Sequence, residues 1–116
     1  MLIRYKKSME KIAMGLLSFM PEEKDVKKLT QTMRAYEDNE NWQLYLWKDN
    51  EDVLGAIGVE IDQTEAKVVV QHITVNPSHR EQGIGQQMIS EVRKIYQDDY
   101  SIVANDITES FLNKCE

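Results

Sequence analysis

Short runs of branched and aromatic residues alternate along this chain with stretches whose apolar positions recur every three or four residues, the periods that mark strands and helices. Leu2–Tyr5, apolar around Arg4, predicts a first strand. Met9, Ile12, Ala13, Leu16, Leu17 and Met20 then fall on one helical face, with Ser8 placed to cap it. Pro21 closes that helix or opens the next, whose Val26, Leu29, Met33 and Tyr36 form a second stripe. Trp42–Trp47 and Val53–Ile61 read as strands joined by the polar turn Asp49-Asn50-Glu51-Asp52, and Gly55 and Gly58 mark bulges or close backbone approach. A second polar turn, Asp62–Glu65, leads into Lys67–Val75, the most β-prone run in the chain.

Beyond the turn Asn76-Pro77-Ser78, a helix is expected from Gly83 to Asp98-Asp99, with Ile84, Met88, Val92 and Ile95 on its stripe. Tyr100–Ala104 predicts a short strand, and Ile107, Phe111 and Cys115 place a last amphipathic helix over Asn105–Cys115. The order β-α-α-β-β-β-α-β-α, with a helical crossover between the last two strands, predicts an α/β fold. Its mixed sheet is antiparallel early and parallel in the last pair, with flanking helices. No repeat or linker interrupts it, so residues 1–116 are expected to form one domain.

Composition narrows the class. With 116 residues, 41% hydrophobic and 29% charged, the chain supports one core and is neither collagen-like nor largely disordered. Fourteen Lys and Arg against twenty Asp and Glu give a net charge of -6, which argues against a nucleic-acid partner. The lone cysteine, Cys115, has no partner for a disulfide or a thiolate metal site and suits a reducing compartment. No stretch approaches the roughly 20 apolar residues that span a bilayer, and Met9–Met20 is too interrupted for a secretory signal. A cytoplasmic protein with no bound metal and no membrane partner is expected.

The chemistry concentrates in Val75–Gln86, where Gly83 and Gly85 sit at the handover from a strong strand to a helix. Glycines there admit a ligand close to the backbone, and the free N–H groups and dipole of the first helical turn favour an anion such as pyrophosphate. No Gly-Lys-Ser/Thr follows, as a P-loop needs, and Met88 holds the third-glycine position of the dinucleotide fingerprint. Taken alone, the turn serves equally well as a tight strand-to-helix connection.

Arg80, Gly83 and Gly85 meet the pattern Gln/Arg-x-x-Gly-x-Gly/Ala. With the strand His72–Pro77 before it and Val53–Gly58 before that, the chain resembles the GNAT N-acetyltransferase superfamily over nearly its whole length. Its small size and the string Asn76-Pro77-Ser78-His79-Arg80-Glu81-Gln82-Gly83-Ile84-Gly85 look similar to the RibT acetyltransferases of bacterial riboflavin operons. The resemblance implies acetyl-CoA as donor. It implies that backbone groups of Glu81, Gln82, Gly83, Ile84, Gly85 and Gln86 hold the pyrophosphate, that Arg80 adds charge, and that Ile73, Thr74 and Val75 pair with the pantetheine arm. The Val75 N–H would polarise the thioester carbonyl.

Asn105 matches the family's pantetheine-contacting asparagine and serves equally as a helix N-cap. His72 and Glu60, near the ends of the central strands, are candidate bases for the acceptor amine, each also readable as a structural strand residue. Where the family often carries a tyrosine as general acid, this chain has Leu112, leaving Ser110, Tyr96 or water as substitutes. Trp42, Tyr45 and Trp47 line an acceptor pocket or fill the core. The family normally continues beyond the position of Glu116 into two more strands, so an exposed last strand and pairing with a second copy are expected. The implied activity is direct acetyl transfer to an amine of a small molecule or a protein. The alternative is a non-catalytic, CoA-binding regulatory module.

Overall fold

A computed structural model describes residues 1–96 and 99–110. Strand β1 (Leu2–Arg4) is followed by helices α1 (Glu10–Leu17) and α2 (Val26–Asp38), and then by β2 (Trp42–Asp49), β3 (Asp52–Asp62) and β4 (Lys67–Val75). Helix α3 (Ile84–Tyr96) crosses to β5 (Ser101–Ala104). The five strands lie in the order β1-β2-β3-β4-β5. The first four are antiparallel, and β5 runs parallel to β4, as a helical crossover requires. The expected helix over Asn105–Cys115 lies largely outside the described residues.

Alternation along the strands divides the core into two layers. Ile57, Val59, Val70 and Ile73 face α3, which answers with Met88 and Ile89. Leu44, Leu46 and Ala56 face α1 and α2, which answer with Leu17 and Met33. Ile12, Val26 and Ile95 fall on the predicted apolar stripes yet are exposed. Ile12 flanks the Ala13–Leu16–Leu17 face, while Val26 is the first residue of α2 and Ile95 the last but one of α3.

Two helix starts also differ from the sequence expectation. Ser8 lies inside a 3-10 turn, Lys7–Met9, and caps nothing. Pro21 opens a second 3-10 turn, Pro21–Glu23, and α2 is capped by Asp25, whose carboxylate accepts from the Lys27 N–H at 3.0 Å. That short turn delivers Glu23 into the interior, where it is only 1% exposed.

Two irregularities position the site. Gly58 pairs with His72 and Val59 with Val70, so Gln71 is an extra residue bulged out of β4. Pairing of β4 with β5 then stops at Val70 and Ala104, and β4 runs on to Val75 paired with β3 alone. At Gly58 itself, a Cβ would stand 1.9 Å from the Tyr36 hydroxyl oxygen. The glycine is there because α2 drives a tyrosine onto the strand. Gly58→Ala is therefore expected to cost about 2–4 kcal/mol, combining overpacking with a displaced buried hydroxyl. In chemical denaturation, Gly58→Ala with Tyr36→Ala should cost clearly less than the sum of the two single changes. Simple additivity would contradict the contact.

Candidate functional site

Where β4 outruns β5, a cleft of about 740 Å³ opens, walled by Ile73, Thr74 and Val75 on one side and by the β4–α3 loop on the other. Asn76 begins that loop by accepting the Ser78 N–H on its side chain, and the Arg80 Nε donates to the Val75 carbonyl at 3.2 Å, tying the loop to the strand end. Glu81 and Gly83 both take left-handed backbone, with φ of 68° and 80°. Left-handed residues in such a loop turn successive N–H groups toward one concavity, which favours an anion. The intrahelical bond from Gln87 N–H to the Gly83 carbonyl leaves the N–H groups of Ile84 and Gly85 ahead of it at the positive end of the α3 dipole.

Arg80, Glu81, Gly83, Ile84, Gly85 and Gln86 all line the cleft, so the structure brings together most of the residues expected to hold the donor. Gln82 belongs to the same loop without lining the cleft. Ser110, one of the substitute acids, lines it too, whereas Tyr96 gives its hydroxyl to a 2.7 Å bond with Tyr45 in the α3 layer, where burial raises its pKa. His79 also faces the cleft, and its Nδ1 is buried with no hydrogen-bond partner among the described residues. A left-handed loop, a helix start and an orphaned polar atom in one cleft fit a phosphate-bearing ligand.

A smaller hollow of about 220 Å³ adjoins the cleft, and Glu22 and Ile107 line both. Trp42, Gln71, His72 and Asn105 belong to this second space, while Tyr45 and Trp47 pack on the α3 side as core. The side-chain oxygen of Asn105 accepts from the N–H groups of Ile107 and Thr108, both at 2.9 Å, the bonding pattern of an N-cap. Its amide donates to Gln71 Oε1 at 3.0 Å, and the Thr108 hydroxyl donates to the Val70 carbonyl at 2.7 Å. These two side chains cover carbonyl and amide groups of β4 at the point where β5 leaves it.

The two candidate bases have different surroundings. Glu60 accepts from Gln71 Nε2 at 3.0 Å and lines neither space. His72 is buried with both ring nitrogens engaged, Nδ1 to the Tyr36 hydroxyl at 2.6 Å and Nε2 to Glu23 Oε1 at 2.9 Å. Burial pushes the imidazole pKa below its ordinary value, against the opposing pull of Glu23. The sequence pattern does not single out Glu23 or Tyr36 for chemistry. Pro-Glu-Glu reads as an ordinary polar turn and Tyr36 as a stripe residue, and no local spacing joins positions 23, 36 and 72. A glycine in mid-strand facing a helix is the one available signal.

Among known proteins, the family model described as "Acetyltransferase (GNAT) family" matches residues 9–115. An uncharacterised N-acetyltransferase from the lysA 3' region of Bacillus methanolicus is 58% identical over 116 residues, which cover all of this chain and 95% of that protein. The fold is shared with AAC(6')-Iy solved with the bisubstrate analogue CoA-S-monomethyl-acetylneamine. That match has 16% identity and a TM-score of 0.72, covering 98% of this chain and 84% of that one. A possible acetyltransferase from Clostridium difficile 630 matches with 13% identity and a TM-score of 0.76, covering 98% and 86%. A strand that parts from its neighbour β5 at a bulge, a left-handed glycine loop beneath its end and a match over residues 9–115 thus lead to one conclusion: this chain belongs to the acetyltransferase (GNAT) family, with acetyl-CoA as cosubstrate.

Proposed function

We propose that the cleft between β4 and α3 holds acetyl-CoA and that the chain passes the acetyl group directly to the amine of a small, cationic molecule. The observation that carries this reading is the end of β4–β5 pairing at Ala104, which leaves Ile73–Val75 as one wall of a cleft whose floor is the glycine loop. The backbone N–H groups of Gln82–Gln86 would hold the pyrophosphate, with Gly83 and Gly85 making room and Arg80 adding charge. The edge of Ile73–Val75 would pair with the pantetheine arm, the Val75 N–H polarising the thioester carbonyl. Asn105 would keep Gln71 clear of that edge. When bound, acetyl-CoA supplies an activated acetyl thioester. Transfer to an ammonium acceptor forms one N–C bond, breaks one C–S bond and sends one nitrogen proton to sulfur and another to solvent.

The adjoining hollow supports a small cationic acceptor. Its volume of about 220 Å³ corresponds to about seven water molecules of liquid, enough to enclose the amine end of a small molecule. Glu22 and Glu23 outnumber Lys28 among its lining groups. Amine-bearing flavin precursors are the first acceptors to try, on the strength of the Asn76–Gly85 string. His72 lines this hollow and Glu60 does not, which favours His72 as the base. Among the described residues, the β5 edge away from β4 has no partner strand, supporting pairing with a second copy and a light-scattering mass near twice 13.5 kDa.

Two experiments test the reading. Free-thiol release from acetyl-CoA should appear with at least one amine in a panel of flavin precursors, short diamines and lysine-bearing peptides, and Gly83→Glu should abolish both release and acetyl-CoA binding. Binding with no release across the panel would leave the CoA-binding regulatory module in its place. Glu81 puts a carboxylate and a left-handed non-glycine residue beside the proposed anion site. Glu81→Gly should therefore stabilise the protein by about 1 kcal/mol and tighten acetyl-CoA binding several-fold. Calorimetric titration showing weaker binding would remove Glu81 from the loop's electrostatics.

A further inference from the structure

Tyr36, His72 and Glu23 form a continuous buried chain of hydrogen bonds from three separate elements: α2, β4 and the Pro21–Glu23 turn. Such a chain is costly to bury and contributes to stability only if its partners are complete. They are: Glu23 accepts from His72 on Oε1 and from the Thr32 hydroxyl on Oε2 at 2.8 Å. With Glu23 a carboxylate, the His72 nitrogen facing it must be the N–H, so Nδ1 carries the lone pair and the Tyr36 hydroxyl donates to it. Hydroxyl, imidazole and carboxylate then stand in the order that lets an imidazole draw a proton through a hydroxyl while the carboxylate stabilises the imidazolium. Packing alone asks for none of this, since a phenylalanine at position 36 would fill the same layer.

The array also sits beside the proposed acceptor space. His72, Glu23 and Trp42 line the smaller hollow, and Trp42 packs edge-on against Tyr36 at 5.1 Å between centroids. We infer that Tyr36, His72 and Glu23 are the proton-accepting array of the transfer reaction, with Glu23 the positioning residue that sets the His72 tautomer. This rests on the proposed transfer to an amine. The ammonium N–H bond breaks with its electron pair left on nitrogen, and the proton passes through water to the Tyr36 oxygen, which stands behind the His72 and Trp42 wall of the hollow. The tyrosine's own proton passes to His72 Nδ1 and returns to solvent after transfer. The charged and titratable groups that face His72 are Glu23, Tyr36, Lys28 and Glu22, while Glu60 acts on Tyr36.

Two measurements decide the inference. The chain has only two histidines, so ¹⁵N imidazole NMR of the whole protein resolves His72 from His79. His72 should be neutral at pH 7 with the proton on Nε2, and a proton on Nδ1 or a charged ring would overturn the inference without any activity assay. In kinetics, Glu23→Gln keeps an acceptor oxygen for His72 but removes the charge that favours imidazolium. It should lower kcat on the order of 10²-fold and move the acidic limb of kcat/KM to lower pH, with acetyl-CoA affinity held within about twofold. Tyr36→Phe should lower kcat as well and leave acetyl-CoA binding intact. An unchanged acidic limb and kcat in both variants would make the array a structural pin. Absence of turnover in the unaltered protein would instead refute the transfer reading on which the inference depends.

Discussion

One extra residue in β4 governs this molecule. Gln71 has no partner on β3, and the added twist of a bulge turns the rest of β4 away from the line that β5 follows. A strand edge left open inside a folded domain is normally a liability, because its backbone groups need partners. Here Thr108 and Asn105 supply them nearest the split, covering the Val70 carbonyl and the Gln71 side chain, while Ile73–Val75 stay at the wall of a cleft. The open edge and the glycine loop are thus two sides of one cleft, which is the arrangement the proposed acetyl-CoA site uses.

The opposite layer solves a different problem. A glutamate, a histidine and a tyrosine are buried under α2, where any one of them alone would be costly. They are tolerated because each completes the next, and because Gly58 vacates the volume the Tyr36 hydroxyl needs. The Pro21–Glu23 turn stands between the cleft and the hollow. Its Glu23 is anchored to β4 through His72, while Pro21 and Glu22 wall the cleft at the end of β4. The cleft and the hollow therefore share a boundary fixed by the buried Glu23–His72 contact.

Much of this is legible in the chain. Runs of branched and aromatic residues at 42–47, 53–61 and 67–75 mark the central strands to within a few residues, and the Gly83-x-Gly85 spacing alone locates the loop. The mixed sheet, antiparallel early and parallel in its last pair, follows from a helix intervening between β4 and β5. Contacts between distant positions are not legible. Nothing near Glu23 announces that a 3-10 turn will bury it, because Pro-Glu-Glu carries the same polarity as an exposed turn. Ser8 has the chemistry of a cap but falls inside a 3-10 turn ahead of α1, so the helix begins without it. The glycine at 58 does carry information, since a strand residue without a side chain implies a neighbour that needs the space, but the sequence does not say that the neighbour is Tyr36.

The account stands on the cleft at the end of β4 being the seat of acetyl-CoA. Thermal unfolding with acetyl-CoA, CoA, ATP and NAD in parallel addresses that directly, because a ligand at about 100 times its dissociation constant adds about 2.7 kcal/mol to the native state. The two CoA species should raise the transition by several degrees, with ATP and NAD leaving it nearly in place. No shift at millimolar acetyl-CoA, or an equal shift with all four ligands, would contradict the assignment of the cleft.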